Sequence, residues 1–262
     1  MSLVFFGELM LRLTPVLPQQ QLIVAKNLSV DFAGAETNVA SSLARLGSKC
    51  QFVTKLPQNP LAEHALASLQ QYGITSDNIV RGGERIGSYF IELGCSIRPS
   101  RVVYDRAYSS IAGIGENEFD WSQILTGQTH LHLSGILPAL SKQCAAESIK
   151  AVKVASEMGL TISFDLNYRR SLWHDSGLAR DYFSQILSYS SLAFGNAGVM
   201  QDVFAFSPKA NDSKCAAQEI GIYLYEHFGV DAAITERVHH SANQNTLRGF
   251  YLRAGKVFAS TD

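Results

Sequence analysis

The chain reads as an α/β protein with a mostly parallel sheet covered by helices, and three observations predict it. Short apolar bursts recur along its 262 residues. Helix-periodic stretches separate them, and glycines stand where those stretches stop. Strand–helix–strand repetition of this kind builds βαβ units.

Taken in order, residues 3–6 form the first strand-like burst. Residues 31–47 then pass through a small-residue turn, Ala33-Gly34-Ala35, into a helix with Val39, Leu43 and Leu46 on one stripe, which Gly47 ends. Their i, i+4, i+7 spacing predicts that this face packs inward. The turn leaves free backbone N–H groups at the helix start, where a small polar ligand can sit; a glycine before a helix is also ordinary punctuation. Strands are predicted at 51–54, 130–134, 161–165, 191–194 and 232–235. Helices are predicted at 61–72, 142–158, 178–188 and 214–228. Ser141 is a candidate N-cap, and Gly73, Gly159 and Gly229 are stop signals. Two regions, 12–33 and 85–108, carry strand-like pieces with no helix between them. Alternation there predicts a small antiparallel sheet standing off the main one, with one face over a site or a partner.

Composition narrows the function classes. The chain is 46% hydrophobic and 17% charged, with net charge −1, enough for one large domain or two modest ones. That balance gives no electrostatic footprint for nucleic acid or an anionic membrane. Its apolar runs are too short to span a bilayer, and Met1-Ser2-Leu3 leads straight into a strand pattern, so no signal peptide and a cytoplasmic location are expected. Cys50, Cys95, Cys144 and Cys215 stand far apart with no Cys-x-x-Cys, which predicts reduced thiols and no structural zinc.

Ligands of open parallel sheets sit beyond the carboxyl ends of the strands. Those ends carry Ser134-Gly135-Ile136, Asp165-Leu166-Asn167-Tyr168-Arg169, Gly195-Asn196 and Thr235-Glu236-Arg237. Asp165, Asn167 and Arg169 alternate, so an extended exit would present all three on one side, with a guanidinium fork for a carboxylate or phosphate. The alternative is that Asp165 caps a loop and Arg169 pairs with a surface acid. His130 and His132 lack a third metal ligand nearby and are expected to be structural; His239-His240 is expected in a solvated polar loop. Gly113-Ile114-Gly115 lacks the third glycine of a dinucleotide fingerprint, and no P-loop motif is present.

Several segments together resemble the ribokinase-like (PfkB) carbohydrate kinases. They are Gly7-Glu8 with Leu13-Thr14-Pro15; residues 33–40, Ala-Gly-Ala-Glu-Thr-Asn-Val-Ala; Val103-Tyr-Asp-Arg106; Leu131-His-Leu-Ser-Gly-Ile136 with residues 138–141; and Phe164-Asp-Leu-Asn-Tyr-Arg-Arg-Ser-Leu-Trp173. The last is most similar to the branch acting on 2-keto-3-deoxygluconate. The resemblance implies one domain over 1–262, a three-layer α/β/α sandwich with a β lid from 12–33 and 85–108, and ATP with Mg2+ as cofactors. It implies sugar-acid contacts from Gly34, Asn38, Tyr89, Tyr104, Arg106, Ile136 and Arg169. Asn167 and Asn196 are expected toward the nucleotide phosphates, Thr235 to Arg237 toward the adenosine side, and the lid at a homodimer contact.

The chain also departs from the family pattern. Ala33 replaces the first glycine of a Gly-Gly pair, and Val199 stands where an Asn-x-x-Glu motif has its glutamate. Thr235-Glu-Arg-Val-His-His240 lacks both glycines of Thr-x-Gly-x-x-Gly. A Gly-Ala-Gly-Asp segment, which the resemblance implies supplies the anion hole and catalytic base, is expected beyond Asp262. A positioned base contributes roughly 10²–10⁴-fold and an oxyanion donor about 10²–10³-fold, so the chain as given is expected to be at least ~10⁴ slower than a complete relative, with extra apolar surface exposed. A sugar-acid-binding or dimerising protein without chemistry, and a kinase for a neutral sugar such as fructose, are the alternatives.

Overall fold

The computed structural model describes residues 1–241 and 244–260. Thr261 and Asp262, where the resemblance ends, lie outside the described residues. The order is β1 (Ser2–Phe6), β2 (Met10–Pro15), β3 (Leu28–Ala33), α1 (Ala35–Arg45), β4 (Lys49–Val53), β5 (Lys55–Leu56), α2 (Pro60–Gln71), β6 (Val80–Arg81), β7 (Ser88–Glu92) and β8 (Arg101–Asp105). There follow α3 (Trp121–Ile124), β9 (His130–Ser134), α4 (Lys142–Glu157), β10 (Thr161–Asp165), α5 (Ser176–Leu187), β11 (Leu192–Gly195), α6 (Ala197–Phe204), α7 (Ser213–Phe228), β12 (Asp231–Ser241), β13 (Gln244–Arg253) and β14 (Lys256–Ala259).

The main sheet runs β14-β13-β12-β11-β10-β9-β1-β4. Pairing is parallel from β12 to β4 and antiparallel at β12–β13–β14. Alternation sorts side chains to two faces. Val4, Phe6, Leu131, Leu133, Ile162 and Phe164 join the core under α3 to α7. Leu3, Phe5, Cys50 and Phe52 pack under α1 and α2. Beyond α1, this second face is an apolar groove of about 300 Å³ lined by Val39, Leu43, His132 and Phe194.

The helices start and stop where their chemistry dictates. Ser141 accepts the Cys144 N–H at 3.1 Å, and Asn59 accepts that of Ala62 at 3.0 Å. Gly47, Gly73, Gly159 and Gly229 all turn left-handed after their helices. The α1 stripe differs from expectation. Its buried face is Glu36, Thr37 and Ala40; Val39 and Leu43 are half-buried, and Leu46 is 80% exposed. Leu46 is the C-cap, so its side chain leaves the helical stripe. His239 and His240 also differ: they lie on β12, where His240 Nε2 meets Thr246 Oγ1 at 2.9 Å. The strand predicted to end at Thr235 continues because β13 returns beside it.

The second sheet, β3-β2-β7-β8, is the predicted lid. It consists of two antiparallel hairpin pairs joined by parallel β2–β7 pairing. Register fixes its faces. Val30, Leu13, Phe90 and Val103 stand opposite one another in one row, and Asp31, Arg12, Tyr89 and Tyr104 in the neighbouring row. One-residue displacement flips the face, so the lid has an aromatic and charged side and an apolar side.

Gly135, at the exit of β9, fixes how closely β9 and α5 approach. A Cβ there would collide with the Phe183 ring and the Leu166 carbonyl oxygen, whereas one at Gly249 would meet nothing. Gly135→Ala should therefore lower unfolding free energy by about 1–3 kcal/mol, and Gly249→Ala should change it by less than about 0.5, both read by urea denaturation.

Candidate active site

The carboxyl ends of β1, β9 and β10, the start of α1 and the inner side of the lid enclose a polar cavity of about 310 Å³. All seven residues expected at the sugar line it: Gly34, Asn38, Tyr89, Tyr104, Arg106, Ile136 and Arg169. Asn167, expected toward nucleotide phosphates, lines the same cavity. So do Glu8, Glu36 and Asp165. Glu8 and Glu36 were legible only as parts of motifs, since nothing in their spacing marks them as neighbours.

Each side chain is placed by local structure. Gly34 is the N-cap of α1 in extended conformation, and a Cβ there would strike the Glu8 carbonyl oxygen. Exit from β10 is not extended: Asn167 takes φ +21°, and its N–H donates to Asp165 Oδ1 at 3.1 Å. Asp165 thus both caps this turn and faces the cavity. Arg169 lies exposed at the mouth, its charge acting on Asp165, while the surface ion pair falls to Arg170 with Asp202 at 2.6 Å. Tyr89 and Tyr104 stand 5.9 Å apart between ring centroids, and the Arg106 guanidinium lies over the Tyr104 ring at 5.5 Å.

Burial shapes the charges. Glu8 accepts from Arg106 Nη2 and from Ser109 Oγ, the latter at 2.8 Å; burial raises its pKa while Arg106 and Ser109 pull it back. Neither carboxyl oxygen of Glu36 has a hydrogen-bond partner among the described residues. Burial pushes Glu36 up to about 7; the nearby Ser134 hydroxyl and Arg106 offset this only in part, and the Asp165 charge adds to it. Burial also lifts Asp165 to about 6, against the Asn167 N–H and Arg169.

A second cavity, of about 370 Å³, lies along the same sheet edge beside α6, α7 and β12. It brings together Asn196, Thr235 and Arg237, the other residues expected at the nucleotide, against an apolar wall of Ala217, Ile220, Ile234 and Phe250. The Asn196 oxygen caps α6 by accepting the Val199 N–H at 3.0 Å. Glu236 Oε1 accepts from Ser213 at 2.7 Å, and Arg237 donates to Asn245 at 3.1 Å. Helix α6 escaped the sequence reading because one short apolar turn after Asn196 resembles a strand exit.

His130 and His132 are held by hydroxyls. His130 meets Thr161 at 2.6 Å and Ser163 at 2.7 Å, and His132 meets Ser163 at 2.7 Å. Burial depresses His132 to about 4. Among the described residues no group of three or more His, Cys, Asp or Glu side chains could hold a metal ion, and no helix is long and apolar enough to cross a membrane.

A mostly parallel sheet, a small second β-sheet and a polar cavity beneath it define the ribokinase-like class. Residues 1–207 match the family described as pfkB family carbohydrate kinase, and the chain belongs to that family. It is similar to the 2-dehydro-3-deoxygalactonokinase of Haloferax volcanii, 38% identical over 183 residues, which are 69% of this chain and 56% of that protein. The 2-dehydro-3-deoxygluconokinase of Bacillus subtilis is 32% identical over 150 residues, 56% of this chain and 45% of the relative. The alignments thus span about half the length of these curated relatives. The crystal structure of the Thermotoga maritima 2-dehydro-3-deoxygluconokinase superposes with a TM-score of 0.96 at 38% identity, covering 100% of this chain and 80% of that one.

Glu36 makes stability depend on pH in a stated direction. Its folded pKa of about 7 lies above the ordinary 4.5, so the folded chain binds more protons between those values. Stability is therefore fullest below about pH 4.5 for this group and falls as pH rises through 7, by about 3 kcal/mol in all. Asp165 acts in the same sense, between 3.8 and about 6. Chemical denaturation at pH 5 and pH 8 should show this decline, and Glu36→Gln should remove most of the part between pH 6 and pH 8.

Proposed function

We propose that the protein is a sugar-acid kinase that transfers the γ-phosphoryl group of ATP to the terminal hydroxyl of 2-keto-3-deoxygluconate. The observation that carries this reading is a buried guanidinium, Arg106, in a cavity that also presents the exposed Arg169 at its mouth and amide, phenol and carboxyl groups. A six-carbon keto acid needs a cation for its carboxylate and donors and acceptors for its hydroxyls. Arg106 with Tyr104 supplies the first, and Asn38, Tyr89 and Asn167 the second. Names of the relatives support the same substrate class.

ATP fits the second cavity in kind: its apolar wall suits a base, and Arg237 and the Asn196 amide face the same space. When bound, ATP supplies the phosphoryl group. This chain's residues bind and orient the two reactants along one sheet edge, which is the larger part of catalysis in phosphoryl transfer. The residues around that cavity do not fit Mg2+. Val199 contributes no charge, and Glu236 is committed to Ser213, with Arg248 3.6 Å away. No step is therefore assigned to the ion. The same valine favours a second reading, sugar-acid binding without transfer. A coupled ADP assay with 2-keto-3-deoxygluconate separates them, since turnover supports the kinase and saturable binding without turnover supports the second.

The apolar row of the lid, with Val30 and Val103 exposed and β8 at the sheet edge, supports a homodimer through this face. Val103→Lys should shift the sedimentation coefficient from dimer to monomer, and an unchanged dimer would remove the lid from the contact.

Arg106→Ala should weaken 2-keto-3-deoxygluconate binding by about 1.5–3 kcal/mol in calorimetry, as expected for a charged hydrogen-bonding group. Binding of fructose should change far less. Equal affinity of the wild-type chain for both sugars would defeat the sugar-acid reading.

A further inference from the structure

We infer that Glu8 is a positioning residue whose carboxylate holds Arg106 inside the cavity and so gives the site its preference for an acidic substrate. This rests on the sugar-acid reading above. Glu8 follows β1 and Arg106 follows β8, so the pair joins the floor of the main sheet to the far end of the lid across 98 residues. Both side chains are more than nine-tenths buried. One Arg106 terminal nitrogen donates to Glu8, while its Nε has no partner among the described residues. The guanidinium is thus anchored through one terminal nitrogen, while the side chain lines the cavity where an occupant would sit.

The anchor itself is fixed from several sides. Ser109 donates to the other Glu8 oxygen at 2.8 Å. A Cβ on Gly87 would collide with that same oxygen, and one on Gly34 with the Glu8 carbonyl. The lid segment carrying Arg106 is tied down again by Arg85, which meets Asp105 at 2.8 Å, and by Ser88, which donates to the Asp105 carbonyl at 3.1 Å. Without Glu8, the buried guanidinium loses its hydrogen-bonded counter-charge, and turning toward solvent is its cheapest relief. Arg106 would then be lost to the substrate although still present in the chain.

The test compares calorimetric affinity for 2-keto-3-deoxygluconate and for 3-deoxyfructose, which has CH2OH in place of the carboxylate. It uses the wild type, Glu8→Ala, Glu8→Gln, Arg106→Ala and the Glu8→Ala/Arg106→Ala pair. Glu8→Ala should lose roughly tenfold to a hundredfold in affinity for the acid and little for the neutral sugar, with the double variant no worse than Arg106→Ala. Glu8→Gln, which keeps shape and one acceptor, should fall between and serves alone if the alanine variant does not fold. Equal losses for both sugars, the mark of a merely structural role, would overturn the inference. So would unchanged or tighter acid binding, the result if Glu8 only competed for the guanidinium. If the wild type shows no preference for the acid, the sugar-acid reading fails by itself. Arg106 in a crystal structure of Glu8→Gln or Glu8→Ala then decides: turned outward it supports the anchor, unmoved it refutes it.

Discussion

The Glu8–Arg106 pair is the constraint around which this site is built. An ion pair removed from water recovers its desolvation cost only if its remaining hydrogen-bonding capacity is met. Ser109 meets part of it for the acid; for the base, the buried Nε stays without a partner among the described residues. Because the partners come from the end of β1 and the end of β8, satisfying the charges also fixes the lid over the sheet. Gly34 and Gly87 allow backbone to approach where side chains could not. Lid geometry, the start of α1 and the guanidinium are thus set by one contact.

Sheet topology explains why that contact falls where it does. From β1 the chain builds outward to β4 on one side and later to β9 and β10 on the other. Such a reversal of strand order opens a crevice at the carboxyl edge. Glu8, Ile136 and Asp165 leave the three strands that border it, so their convergence follows from the strand order. The second cavity lies farther along the same edge, beside β12, so one sheet carries both cavities.

Much of this was legible in the chain. The six parallel strands are apolar bursts, and the lid is two tracts of alternation without a helix, both patterns that survive in a linear reading. Leu46 misled because periodicity continues through a C-cap where the helix does not. The β12–β13 hairpin was hidden by its polarity: its outer half is exposed, so His239 and His240 look like loop residues. All seven sugar-side candidates came from family resemblance and fall on one cavity. Glu8 and Glu36 were not singled out because their significance is pairwise and long-range. A carboxylate near a turn reads as solvated until its partner 98 residues away is placed beside it.

The balance of charge in the cavity gives these acids a joint consequence. Arg106 and Arg169 bring two guanidiniums, and Glu8 answers one of them. Glu36 and Asp165 are held toward their neutral forms by burial, up to about 7 and about 6. Below those values the cavity carries an excess positive charge suited to a single carboxylate. Above them, Asp165 and then Glu36 ionise and cancel it. An anion entering the cavity would in turn favour the protonated acids, because linkage between two ligands of one site is reciprocal. An unpartnered Glu36 is costlier as an anion than as a neutral acid, so its burial delays the negative charge it would add until about pH 7.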